Sequence, residues 1–207
     1  VYDGMLKDVA QVTVTVVNVA PTVDAGPDQT VDEGDQVSFA GSFTDPGTED
    51  THTLEWDFGD GTTTSGTLTP THIYADDGTY TVTLTVTDDD GGVNTDTLTV
   101  TVNNVVPTVD AGPDQTADEG SQVTVTATFN DKGTLDTHTA TIDWGDETIE
   151  YGTVAESPSG PPGSTAGTDG TVSSIHTYAD NGVYTVKVTV TDDDGESGTD
   201  TLTVTVY

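Results

Sequence analysis

Apolar and polar residues alternate along most of the chain, and the alternation comes in two copies. Tyr80, Val82, Leu84 and Val86 are separated by threonines, and Tyr184, Val186, Val188 and Val190 repeat the arrangement. A period of two belongs to a strand with one face in a core. Leu98-Thr-Val-Thr-Val102 and Leu202-Thr-Val-Thr-Val206 carry the same pattern, as does Val12-Thr-Val-Thr-Val16. Trp56-Asp-Phe58 and Ile142-Asp-Trp144 have large apolar residues two apart and predict a central strand in each copy. Gly59-Asp60-Gly61 then breaks the first of these into a turn. Both tryptophans are in phase with the apolar positions, so they are predicted in the cores. No apolar stripe recurs at three- and four-residue spacing, and no helix is expected.

The copies align at an offset of 86 residues, and 19–37 matches 105–123 at 16 of 19 positions. This divides the chain into a terminal strand segment at 1–18, one domain at 19–104 and a second at 105–207. Pro21 and Pro107 stiffen the start of each domain by fixing φ. Strands are expected at Gln36–Ser42 and Gln122–Phe129, followed by the loops 45–50 and 131–136. The offset grows from 86 to 104 between His72 and His176, so the second domain carries 18 extra residues. They fall in a Gly/Pro/Ser-rich insertion at about 148–171, expected as an exposed loop without regular structure. The copies rejoin at Tyr74 and Tyr178, run into a long strand, turn at Asp88-Asp-Asp-Gly91 or Asp192-Asp-Asp-Gly195, and end on a last strand. About seven short strands per domain, joined by Gly/Asp turns, predict tandem all-β sandwiches joined by short linkers, with an extra N-terminal strand.

Charge narrows the function classes. The chain has 37 acidic residues against 3 basic ones, Lys7, Lys132 and Lys187, for a net charge of −34. Such a field repels nucleic acid and anionic membranes and attracts cations. No cysteine is present, which excludes disulfides and thiolate metal sites. No apolar run is long enough to span a bilayer. There is no Asn-x-Ser/Thr acceptor for N-linked sugar, while the threonines leave O-linked sugar open. The chain opens in mid-pattern without an initiator methionine and reads as a processed chain or an excerpt.

Trp56-Asp-Phe-Gly-Asp-Gly61, His72-x-Tyr74 and Gly78-x-Tyr80-x-Val82-x-Leu84-x-Val86-x-Asp88 together resemble the PKD domain, the polycystic kidney disease repeat. The likeness covers 19–104 and, with two departures, 105–207: Ile142 stands at the tryptophan position, and the insertion follows. The resemblance implies immunoglobulin-like sandwiches in an extracellular or cell-surface protein, serving as spacer, adhesion or accessory modules.

The acidic loops carry the sharpest chemical signal. Alternate loops of a sandwich meet at one pole, which would gather Asp24, Asp45, Asp50, Asp88, Asp89 and Asp90 in the first domain. In the second, the set is Asp110, Asp131, Asp136, Asp192, Asp193 and Asp194. Crowded carboxylates without arginine suit a hard cation, and Ca²⁺ accepts six to eight oxygens in loose geometry. The pole of the second domain should abut the far end of the first, where Glu33, Asp35, Asp60, Asp76 and Asp77 lie, so that Ca²⁺ would stiffen the joint. Two other readings stand beside this one: solvated turn residues, and a salt-adapted surface. His52, His72, His138 and His176 lack a compact zinc spacing and are expected to bond nearby aspartates or loop backbone. No nucleophile elbow or phosphate-cradling loop is present, and no carboxylate is singled out for acid catalysis, so the chain is expected not to be an enzyme.

These features predict a Ca²⁺-stiffened rod or fibre subunit of a surface protein. Its expected partners are neighbouring repeats or subunits, with head-to-tail linkage through strand 1–18 as one route. The alternative is an adhesion or carbohydrate- or protein-binding accessory module of a secreted enzyme, with a glycan as ligand.

Overall fold

The computed structural model describes residues 11–158 and 165–207. The first sandwich holds β1 (Thr22–Asp24), β2 (Gln29–Asp32), β3 (Gln36–Ser38), β4 (Ser42–Thr44), β5 (His52–Asp57), β6 (Thr63–Ser65), β7 (Thr71–Ile73), β8 (Gly78–Asp88) and β9 (Val93–Asn103). One layer is the five-stranded sheet β2-β9-β8-β5-β6, and the pairs β1-β4 and β3-β7 form the other. All pairings are antiparallel except β2 with β9, which run parallel from Gln29 opposite Val100. The second sandwich holds β10 (Thr108–Asp110), β11 (Gln115–Ala117), β12 (Gln122–Asp131), β13 (Thr139–Asp143), β14 (Ile149–Tyr151), β15 (Thr153–Pro158), β16 (Thr168–Thr177), β17 (Gly182–Thr191) and β18 (Ser197–Val206). Its layers are β11-β18-β17-β13-β14 and β10-β12-β16-β15. No helix forms among the described residues, and none is long and apolar enough to cross a membrane.

The alternating runs bury the face they were expected to bury. Val82, Leu84 and Val86 of β8 pack with Leu98, Val100 and Val102 of β9, and Trp56 and Phe58 complete that core with Phe39 and Tyr74. The second core repeats this with Val186, Val188, Val190, Leu202, Val204 and Val206. Trp56 and Trp144 are both fully buried. Each needs a partner for its indole N–H: Trp56 donates to the Thr67 carbonyl at 3.0 Å and Trp144 to Glu150 at 3.1 Å. The tryptophan has therefore moved two residues along the same face of the central strand, which keeps it inside.

Two expectations are corrected. The strand predicted over 36–42 is broken in the first sandwich at 39–41, where a Cβ on Gly41 would collide with Leu84 and Trp56. Residues 36–38 and 42–44 pair with different partners, whereas β12 is continuous. The insertion is mostly ordered: β15 and β16 pair from Thr153 opposite Ser173 to Pro158 opposite Thr168. The paired residues hold few of the glycines and prolines that marked the insertion, most of which fall in 158–167, and residues 159–164 lie outside the described residues.

Of the strand expected over 1–18, residues 1–10 also lie outside the described residues, and 11–20 join no sheet. Val12, Val14 and Val16 are exposed, since alternation makes a strand only where a sheet edge accepts its backbone.

Candidate metal centre

Each sandwich gathers aspartates at the pole where the chain enters it. Loop 45–50 is closed by Asp45, whose carboxylate accepts the Gly47 N–H at 2.8 Å and lies 3.0 Å from His52 Nε2. Those contacts, the histidine first, hold Asp45 below the usual aspartate range. Asp88 sits beside it and is also held low, chiefly by Asn18, whose amide donates to both of its oxygens at 3.1 and 2.9 Å. Asp50 completes the group, with ligand atoms of all three within 4.8 Å of one another. Partial burial, and then Asp45, Asp89, Asp90 and Asp88 around it, raise the Asp50 carboxyl.

The corresponding pole of the second sandwich meets the far end of the first. The Ala75 carbonyl accepts N–H groups from Thr134 and Leu135 at 3.1 and 3.3 Å. Lys132 reaches back to Asp35 at 2.6 Å, and Glu33 Oε1 accepts the Val105 N–H at 2.7 Å. Asn104 holds Asp192 at 3.0 Å, as Asn18 holds Asp88.

Six carboxylates converge around this joint. Glu33, Asp76 and Asp136 form one group, Asp136, Asp193 and Asp194 a second, and Asp76, Asp77 and Asp194 a third, each within 4.8 Å. Glu33 is 0% and Asp136 5% exposed. Glu33 Oε2 and both Asp136 oxygens have no hydrogen-bond partner. Burial first, and then the charges of Asp136, Asp131 and Asp76, push the Glu33 carboxyl up to about 8 against the pull of the Val105 N–H. Burial, followed by Asp131, Asp76, Asp193 and Asp194, pushes Asp136 up to about 7. Buried unpaired carboxylate oxygens are costly, and Lys132 at the joint is engaged by Asp35.

The histidines bond aspartates, as expected. His72 lies 2.6 Å from Asp60 and stacks on Phe58; His176 lies 2.7 Å from Asp146 and stacks on Trp144. His138 is held between Asp131 at 3.2 Å and Glu156 at 2.8 Å, so a residue of the inserted hairpin reaches the second core. No group of candidate ligands among the described residues includes a histidine.

The predicted metal residues thus separate into three sets. Asp45, Asp50 and Asp88 meet at one pole, and Asp136, Asp193 and Asp194 at the other. Asp89 and Asp131 stand beside these groups with structural bonds, Asp89 to the Thr51 N–H and Asp131 to His138 and the Gly133 N–H. Asp90 is exposed, and Asp192 is held by Asn104 and the Glu196 N–H. Asp24 and Asp110 lie outside every group and accept the Gly26 and Gly112 N–H groups at 2.9 Å, two residues on, in local turns. Glu33, Asp76 and Asp77 are the ligand candidates absent from the predicted pole sets. Their place at the far end was legible, but nothing in the alternation signals that Glu33 is buried.

Two layers packed over one core, with the second unit repeating the first, define a tandem immunoglobulin-like sandwich protein. The chain belongs to the PKD domain family, whose model matches residues 18–102 and 104–206. Domains of this family are generally non-catalytic and typical of extracellular or secreted proteins. The PKD1 domain of Vibrio anguillarum Epp is 37% identical and covers 42% of this chain and 98% of its own, with a TM-score of 0.36. The PKD1 domain of the Vibrio cholerae metalloprotease PrtV is 34% identical over 41% of this chain and 99% of its own, with a TM-score of 0.33. A Bacteroides ovatus glucan-utilisation protein, SGBP-B in complex with a mixed-linkage heptasaccharide, is 19% identical over 92% of this chain and 48% of its own, with a TM-score of 0.35. No curated protein matches the chain.

Proposed function

We propose that this chain is a non-catalytic structural module of an extracellular protein, a two-domain spacer whose acidic poles take Ca²⁺. The observation that carries the reading is the bonded joint. Backbone donors from the loop 131–136, the Lys132–Asp35 pair and the Glu33–Val105 bond tie one sandwich end-on to the next. A spacer needs this kind of connection, because a freely jointed pair transmits neither distance nor orientation. The convergence of aspartates from separate loops at each pole, though from largely different positions, supports Ca²⁺ as the stiffening ion, since turn chemistry alone does not require it. The exposed valines of 11–19 favour a self-association surface in the same segment.

Thermal unfolding after EDTA treatment, with Ca²⁺, Mg²⁺ or NaCl restored, tests the reading. A rise in melting temperature specific to Ca²⁺ is the expected outcome, accompanied by solution scattering from an elongated particle. Equal rescue by NaCl would return the aspartates to a screened, salt-adapted surface. Sedimentation of the chain with and without residues 1–18 tests the association surface, and unchanged assembly after the deletion excludes that segment.

A further inference from the structure

We propose that Asn181 is a site of spontaneous covalent modification, where the chain converts its own asparagine to aspartate or isoaspartate through the backbone nitrogen of Gly182. This goes beyond the spacer reading and does not depend on it.

The six asparagines of the chain separate by what their side chains do. Asn18, Asn94, Asn103, Asn104 and Asn130 each donate the side-chain amide to a carboxylate or a backbone carbonyl, with at least one bond between 2.9 and 3.1 Å. Among the described residues, Asn181 alone makes no hydrogen bond through its side chain; its backbone N–H is held by Asp180 at 2.9 Å. Asn181 lies in an exposed bend. It is also the one asparagine followed by glycine.

Packing holds that glycine in place. A Cβ at Gly182 would meet the Tyr184 ring at 3.2 Å, and this ring is stacked on Tyr178 with centroids 4.1 Å apart. The Tyr184 hydroxyl donates to the Asp180 carbonyl at 2.9 Å, so the ring is pinned at both ends. With no Cβ beside it, the Gly182 nitrogen is unshielded, and the unbonded Asn181 side chain is free to turn toward it.

The step balances with water as the one co-reactant. The Gly182 nitrogen gives up its proton and bonds Asn181 Cγ, closing a five-membered succinimide. The bond from Cγ to the side-chain nitrogen breaks, and ammonia leaves with that proton. Water then opens the ring at either carbonyl, to aspartate or to isoaspartate. Aspartate is the residue the first sandwich already carries at the equivalent position, Asp77 before Gly78. Asp77 is partly covered, whereas Asn181 is exposed. The aspartate product adds one negative charge to a chain at −34. The isoaspartate product lengthens the backbone by one carbon just before β17, where Gly182 pairs with Val206 of β18.

The test is incubation of the folded whole chain in mildly alkaline buffer beside a urea-unfolded sample, followed by peptide mapping and isoaspartate detection by mass spectrometry. In the folded chain, conversion at Asn181 is expected at least about tenfold ahead of any other asparagine, because the others react only when the bonds that hold them open. Asn181→Gln should remove the acidic species on ion exchange, and Asn181→Asp should comigrate with the aspartate product. An unchanged melting curve for Asn181→Gln shows that the fold is intact. No conversion at Asn181 in the folded chain would overturn the inference, and conversion there in urea alone would show that the fold protects the Gly182 nitrogen. Equal conversion at all six asparagines, or an undiminished acidic species in Asn181→Gln, would overturn it as well.

Discussion

Glu33 of the first sandwich and Asp136 of the second bring carboxylate oxygens within 4.8 Å across the domain boundary, and neither is salt-bridged. They are 103 positions apart in the chain and meet only because the second domain docks end-on. Their ionisation is coupled to that docking, and it sets the first prediction.

In the absence of divalent cations, the protein should be more stable at pH 5 than at pH 8.5. The Glu33 carboxyl is raised from 4.5 to about 8 and that of Asp136 from 3.8 to about 7. The folded state therefore retains protons that the unfolded chain releases, so stability falls as pH rises through this window. His138 acts in the same direction: burial lowers its pKa, but the Asp131 and Glu156 bonds outweigh burial and raise it. Melting curves of the metal-free chain and of a Glu33→Gln/Asp136→Asn variant check this. The variant should show a clearly flatter profile, and an unchanged slope would refute the assignment.

Tyr74 and Tyr178 each donate a buried hydroxyl to the carbonyl of the aromatic residue on the central strand, Phe58 or Trp144, at 2.9 Å. Tyr74→Phe and Tyr178→Phe each leave a carbonyl without its donor and should cost about 1–2 kcal/mol. Urea unfolding measures this, and comparable losses are expected in the two domains because the geometry is repeated.

Gly59 has φ +82°, and a Cβ there would meet the Thr81 carbonyl oxygen at 2.6 Å; Gly145 has φ +78° and the same contact with Thr185. Gly59→Ala and Gly145→Ala should each destabilise by more than about 1 kcal/mol. Gly91→Ala, in open space at φ +90°, carries only the backbone penalty and should cost less. Equal losses at all three positions would show that crowding contributes nothing.

Lys132 and Asp35 bridge the domains at 2.6 Å, but their side chains are 44% and 50% exposed. Solvent screening limits such a pair to less than about 1 kcal/mol. Lys132→Ala should therefore shift the unfolding midpoint only slightly, and less still in high salt. A large loss would mean that the lysine is the principal counter-charge at the joint.

The pole groups were partly legible in the sequence and partly not. Asp45, Asp50 and Asp88 recur with their surroundings at Asp131, Asp136 and Asp192, so repetition alone marked the loops. It could not separate Asp24 and Asp110, which face local turns, from their neighbours, because the same Asp-x-Gly spacing serves either role. Nor did it reveal that the inserted hairpin sends Glu156 to His138, since a contact over 18 residues depends on how β15 folds back onto β16.

Within the two domains the period-two alternation marked the long strands, their buried faces and the two cores, because burial in a sheet is decided by which residues share a side, but the same alternation at Val12–Val16 made no strand. Repetition determined the number of domains, and the charge balance set a field that attracts cations and repels polyanions. The tertiary structure alone decided which carboxylates lose their water. Asp50 and Asp136 occupy equivalent loops, yet only Asp136 is covered by another domain and faced by Glu33. Desolvation is a property of what packs over a residue, and here the covering surface comes from the other end of a separate domain.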